Sequence, residues 1–218
     1  MSTFVLIHGA GDVGWYWHLV AAELEGMGHD VVAPDLPCDD DSAGLSEYAD
    51  TVLEAIGDRG DGELVVVAQS AGAFTAPLVC DRAPVELLVL VAGLIPAPGE
   101  AAQDWWTNTG WEPDSRYQGD DELATFYHDV PPPLAAEAMK RSRTQSDTPS
   151  QEPWPLDAWP DVETRFVLCR NDRLLPPDFL RRVVRDRLGI APDEIAAGHC
   201  VALSRPRKLA QLLEAYRA

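Results

Sequence analysis

Short apolar runs punctuate the chain: Phe4-Val5-Leu6-Ile7, Val31-Val32-Ala33, Leu64 to Ala68 and Leu87 to Val91 are unbroken, and a fifth strand-like run, Arg165 to Cys169, is apolar after its first residue. A run without polar alternation suits a strand covered on both faces. Between these runs the apolar spacing turns helical, over Trp15 to Met27, about Ser46 to Asp58, Ala71 to Arg82, and Pro177 to Leu188. Gly28 stops the first of these helices. A short last strand, Glu194-Ile195-Ala196, and a helix from about Pro206 to Arg217 close the chain. Strands alternating with helices predict an α/β fold, a mostly parallel sheet of about six strands with helices on both faces. In such sheets ligands bind beyond the carboxyl ends of the strands.

The rhythm breaks between Ile95 and Pro160, where no strand-like run occurs. This stretch is rich in proline and holds Trp105, Trp106, Trp111, Trp154 and Trp159. Short helices are expected at Ala101–Asn108, Asp121–Asp129 and Leu134–Arg143. A disordered linker would not carry five tryptophans, which argue for burial of apolar surface. Residues 1–218 are therefore expected to form a single domain, with an inserted cap at about 96–160 over the active edge of the sheet.

Composition narrows the partners. The net charge is −19, from 36 acidic against 17 basic residues, which repels phosphate backbones and anionic membrane surfaces. Neither a nucleic-acid nor a membrane partner is expected. The apolar start lacks a basic flank and is too short for a signal peptide. Cys38, Cys80, Cys169 and Cys200 show neither a CxxC nor a zinc-ligand spacing, so reduced thiols, no metal site and a cytoplasmic location are expected.

The chemistry concentrates at Val65-Val66-Val67-Ala68-Gln69-Ser70-Ala71-Gly72, a strand that runs into a serine flanked by small residues. That is the pattern of a nucleophile elbow, whose strained strand-to-helix turn leaves no room for larger neighbours. Alone, it also fits a serine capping an ordinary helix. A serine hydroxyl needs a base within hydrogen-bond reach, and the base needs a carboxylate to fix its tautomer. Asp172 and His199 each follow a predicted strand, in the chain order Ser, Asp, His. The loop after the fourth strand, Ala92 to Ile95, offers no carboxylate. An oxyanion hole needs two backbone N–H groups, expected from Ala71 and from Ala10 in the loop His8 to Gly14. The same loop, Gly9-x-Gly11-x-x-Gly14, also has the spacing of a dinucleotide fingerprint. The histidine before its first glycine and the downstream Ser-Asp-His set favour the oxyanion reading.

Phe4-Val5-Leu6-Ile7-His8-Gly9-Ala10, the Trp15-x-Trp17 pair, Ala33-Pro34-Asp35-Leu36-Pro37, Ala68-Gln69-Ser70-Ala71-Gly72, Asp172 and Gly198-His199 together resemble the α/β-hydrolase superfamily. The branch they are most similar to is that of the plant methyl esterases and hydroxynitrile lyases. The resemblance implies hydrolysis of a carboxylic ester, thioester or lactone of a small to medium molecule through an acyl-enzyme on Ser70. A lyase of this branch would carry a threonine at position 9 and a lysine at 200, where this chain has Gly9 and Cys200. Gln69 stands where most members have histidine, and Ala68 where glycine is more usual. No cofactor is called for, since nucleophile and base are both protein groups. Trp105, Trp106, Trp111, Phe126, Tyr127 and His128 are the candidates to line an apolar substrate pocket. The rival class is a ligand-binding protein of the same fold without turnover.

Overall fold

A computed structural model describes residues 1–113 and 121–217. Residues 114–120 of the expected cap lie outside the described residues. Six strands form one sheet: β1 (Ser2–Ile7), β2 (Asp30–Val32), β3 (Glu63–Gln69), β4 (Val85–Val91), β5 (Glu163–Cys169) and β6 (Asp193–Ile195). Their order is β2-β1-β3-β4-β5-β6, and every neighbouring pair is parallel. The central strands are buried along nearly their whole length, as their unbroken apolar runs require.

The helices are α1 (His18–Gly26), α2 (Leu45–Ile56), α3 (Ala76–Arg82), α4 (Ala102–Asn108), α5 (Glu122–Thr125), α6 (Pro132–Arg141), α7 (Thr148–Gln151), α8 (Pro177–Leu188), α9 (Val201–Ser204) and α10 (Pro206–Ala215). α1 packs against α9 and α10, and α2 against α3. From β1 the chain crosses one way to β2, and from β3 it crosses the other way to β4. Right-handed crossovers in opposite directions place their helices on opposite faces. The loops leaving β1 and β3 therefore diverge at their carboxyl ends, and that divergence opens the crevice.

Several boundaries differ from the sequence expectation. The helix expected from Trp15 starts as a 3₁₀ turn, Gly14–Trp17, which buries Tyr16 and Trp17 together before α1 begins. The helix expected from Ala71 likewise begins as a 3₁₀ turn, Ser70–Phe74. Pro77, which has no N–H to donate, then sits in the first turn of α3. The helix expected over 121–129 is only the four residues of α5, capped by Asp121 Oδ1, which accepts the Ala124 N–H at 3.0 Å. Helices α7 and α9 were not legible in the pattern, being four residues each. The last strand runs one residue earlier than expected.

The segment between β4 and β5 is anchored by buried tryptophans. Trp105 Nε1–H donates to the Ile95 carbonyl at 2.8 Å, and Trp154 Nε1–H to the Phe74 carbonyl at 3.1 Å. Glu100 and Arg187 add a buried two-point ion pair, with Arg187 Nη2 2.7 Å from Glu100 Oε1. Burial alone would raise the Glu100 carboxyl, but hydrogen bonds from Arg187 and Asn108 hold it below its usual range.

Candidate active site

Ser70 sits immediately after β3 with φ at +52°, a left-handed conformation that costs a non-glycine residue about 1–3 kcal/mol. That strain turns the chain so sharply that strand, serine and helix share almost no space. At Gly72 a Cβ would lie 2.5 Å from the His8 carbonyl oxygen, a backbone atom with no freedom to retreat. The carbonyl of Ser70 in turn accepts the Leu94 N–H at 3.0 Å, tying the turn to the loop after β4. The small residues around the serine are a steric necessity.

Asp172 and His199 come together from the loops after β5 and β6. His199 Nδ1 lies 2.7 Å from Asp172 Oδ2, and both side chains are buried. A carboxylate only accepts, so Nδ1 carries the hydrogen and Nε2 keeps a lone pair for use as a base. The other oxygen of Asp172 accepts the N–H groups of Leu174 at 2.9 Å and Leu175 at 3.0 Å, so its orientation is fixed. The two loops are also tied to each other, because the Asn171 N–H donates to the Ala197 carbonyl at 3.0 Å. Asp129 Oδ2 accepts the N–H of Gly198, next to the histidine, at 2.9 Å.

Ser70 and His199 face one cavity of about 790 Å³, whose walls include Ala10, Ala71, Gln69 and Cys200. Trp106, Phe126, Tyr127, Leu94 and Leu174 give it an aromatic and aliphatic side, and the Phe126 ring stands edge-on to His199 at 5.5 Å. Asp12, Arg143 and Gln145 add polar groups to the lining. Burial pushes the Asp12 carboxyl up to about 6, with the charge of Asp35 adding to it against a hydrogen bond from the Val13 N–H. Burial also holds the Cys200 thiol well above its ordinary range, so it stays neutral.

Three expected pocket residues lie elsewhere. Trp105 is fully buried against Trp106 and Phe179, with its N–H engaged by Ile95. Trp111 donates its Nε1–H to the Leu174 carbonyl at 2.8 Å and supports the wall from behind. His128 donates Nε2–H to the Asn171 carbonyl at 3.0 Å and stands behind the Asp172 loop. None of the three is among the cavity's lining residues. Each is drawn away by a polar tip that finds a backbone carbonyl.

The loop after β1 is held from two sides. His8 is fully buried, its Nδ1–H donating to the Gly9 carbonyl at 2.8 Å while Nε2 accepts the Leu36 N–H at 3.0 Å. Those bonds require the neutral ring, and burial lowers its pKa to about 4. On the other side, Gln145 Oε1 accepts the Gly11 N–H at 2.9 Å and the Arg143 N–H donates to the Gly11 carbonyl at 2.7 Å. Gly11 is at φ +64°, with the Arg143 carbonyl 2.9 Å from where a Cβ would stand, so only glycine fits. No acceptor among the described residues takes the Ala10 N–H, and Ala10 faces the cavity. Of Asp30 and Asp35, the two acidic residues near the distance at which a dinucleotide fingerprint would place one, Asp35 is engaged by the Gly14 N–H and by Arg143, both at 2.7 Å. Sequence reading missed Gln145 and Arg143, which act on residues more than 130 positions away.

A parallel sheet with a strained serine turn at its switch point and a His–Asp pair on the neighbouring loops defines a class, the serine-elbow α/β enzymes. The sequence matches the alpha/beta hydrolase family over residues 4–212, and the chain belongs to that family. It is 28% identical to Methylesterase 7 of Arabidopsis thaliana, over 96% of this chain and 94% of that protein. It is 27% identical to a probable esterase, PIR7A, of Oryza sativa subsp. indica, again over 96% and 94%. The crystal structure of polyneuridine aldehyde esterase superposes with a TM-score of 0.85 at 18% identity, covering all of both chains. Among the described residues no cluster of three or more His, Cys, Asp or Glu side chains is placed to hold a metal ion, and no helix is long and apolar enough to cross a membrane.

Proposed function

We propose that the protein is a serine esterase acting on a carboxylic ester of a small to medium molecule, with Ser70, His199 and Asp172 as its triad. The observation that carries this is the 2.7 Å His199–Asp172 pair opening onto the same cavity as a strained Ser70. The names of the relatives, methylesterase and probable esterase, support it. His199 Nε2 takes the Ser70 proton as Oγ attacks the ester carbonyl carbon. The oxyanion accepts from the N–H groups of Ala10 and Ala71. On collapse, the alkoxide leaves with the proton that His199 returns. Water, deprotonated by His199, then attacks the acyl carbon, and the carboxylic acid departs as Ser70 regains its proton.

A fluorophosphonate probe with peptide mass mapping tests the reading directly. Stoichiometric labelling at Ser70, lost in Ser70→Ala and His199→Ala, is expected, with hydrolysis falling by about 10³-fold or more in each variant. Undiminished turnover by Ser70→Ala would end this assignment. A ligand that stabilises the protein without being consumed would support the binding-protein alternative.

A further inference from the structure

The turn that follows α5 carries four consecutive residues that divide between two tasks. Phe126 and Tyr127 line the main cavity, and the Phe126 ring stands 5.5 Å from that of His199. His128 and Asp129, the next two, bond to the backbone instead, each on a different triad loop. His128 Nε2–H donates at 3.0 Å to the Asn171 carbonyl, in the peptide that leads into Asp172. Asp129 Oδ2 accepts the Gly198 N–H at 2.9 Å, one residue before His199. The Ala197–Gly198 peptide is thereby held at both ends, because its carbonyl already accepts the Asn171 N–H at 3.0 Å. The turn itself is closed by the Val130 N–H on the Tyr127 carbonyl at 2.9 Å.

Two further observations separate Asp129 from a residue that only fills space. Its Oδ1 is buried without a hydrogen-bond partner among the described residues, a cost that an apolar side chain in its place would not carry. Arg205, at the end of α9, stands 3.9 Å from Oδ2, at the limit of an ion pair. The fit against the histidine loop is also tight. A Cβ on Gly198 would lie 2.7 Å from Asp129 Oδ1 and 2.7 Å from His128 Nε2, so both polar tips close directly on backbone.

We propose that His128 and Asp129 form a clip that sets the separation of the Asp172 and His199 loops, with Asp129 the positioning residue for His199. The assignment rests on the serine esterase reading above. His199 can serve as base only while Nδ1 stays on Asp172 and Nε2 is directed at Ser70. Beyond β6, which ends at Ile195, the parallel ladder no longer holds the chain, and the Gly198 N–H is fixed by a side chain 69 positions away. The cap is thus part of the frame that orients the base. Because the same turn presents Phe126 and Tyr127 to the cavity, a substrate resting on those rings bears on the residues that align His199.

Hydrolysis of 4-nitrophenyl acetate tests the clip, with rates divided by the Ser70 sites that a fluorophosphonate titrates to completion, so that only folded enzyme is counted. Asp129→Ala should lower kcat about tenfold or more while KM changes by less than about twofold, because the ring loses its direction and the cavity keeps its walls. Asp129→Asn retains an acceptor for the Gly198 N–H and should return to within about threefold of the parent. His128→Ala should lower kcat about threefold or more, and the double variant should lose less than the product of the two single losses, as residues acting as one unit do. An unchanged kcat in Asp129→Ala, an equal loss in Asp129→Asn, a matching rise in KM, or fully multiplicative losses in the double variant would each overturn the clip. If such a result came with a parent enzyme that hydrolyses the ester and is labelled at Ser70, the esterase reading would stand. A parent whose Ser70 resists the probe, with no hydrolysis, would remove both.

Discussion

The two sides of the cavity are built differently. On the sheet side, Ser70, Asp172 and His199 each stand within four residues of a strand's end, and their positions follow from the parallel ladder. On the cap side, the wall is held by separate anchors spread over the segment between β4 and β5: Trp105 on Ile95, Trp154 on Phe74, Glu100 on Arg187, and Gln145 on Gly11. The sheet side places the reacting groups through many small backbone bonds. The cap side rests on a few side chains, each of which matters by itself. Away from the proposed triad and the glycines packed around it, single substitutions are expected to cost more on the cap side than on the sheet side.

The largest effect that tests this contrast outside the triad should come from Trp154→Ala. Its ring is almost fully buried beside Trp159, and its removal should cost about 3–5 kcal/mol of stability by denaturant unfolding. Trp154→Phe, which keeps most of the packing and drops the bond to Phe74, should cost only about 1 kcal/mol. Equal losses for the two would mean that the hydrogen bond, and not the packing, ties the cap to the nucleophile turn.

His8 gives the next effect, from the sheet side. Its pKa falls from an ordinary 6.5 to about 4 in the fold, so between those values the unfolded chain binds the extra proton. Stability should therefore drop as pH falls through this window, by about 3 kcal/mol in all, and level off below it. Denaturant unfolding at pH 7, 5.5 and 4 should show a shallower decline for His8→Gln than for the parent. Parallel curves would remove His8 as the titrating group.

The smallest effect is the most informative about how the sides meet. Gln145→Ala should lower kcat about tenfold with little change in KM, because the Gly11 N–H loses its acceptor and the Ala10 donor loses its fixed direction. Gln145→Glu keeps an acceptor and should recover most of that loss. A rise in KM alongside the fall in kcat, unrescued by glutamate, would make Gln145 a packing residue only.

This division also explains what could be read from the sequence. The strands, the serine turn and the chain order of the proposed triad follow from contiguous patterns such as Val65 to Gly72, where the physics is local. Strand positions put Asp172 and His199 at one edge, and their 2.7 Å approach is consistent with that reading. The cap was legible only as buried aromatic surface. Which of the candidate tryptophans faces the cavity depends on carbonyls at Ile95 and Leu174 that no periodicity reveals: Trp105 and Trp111 bond to these and pack away from it, while Trp106 is among its lining residues. The role of Gln145 depends on a partner 134 residues away and left no local trace.

The outermost strands carry a consequence of another kind. β2 and β6 have three residues each, against six or seven in the strands between them, and both begin with aspartate. A sheet's rim is a template for recruiting foreign strands, and short, charged rims are poor templates. With a net charge of −19 adding mutual repulsion between copies, the molecule is defended against fibrillar self-association at both margins. Its colloidal behaviour in concentrated solution should be governed by salt more than by exposed backbone.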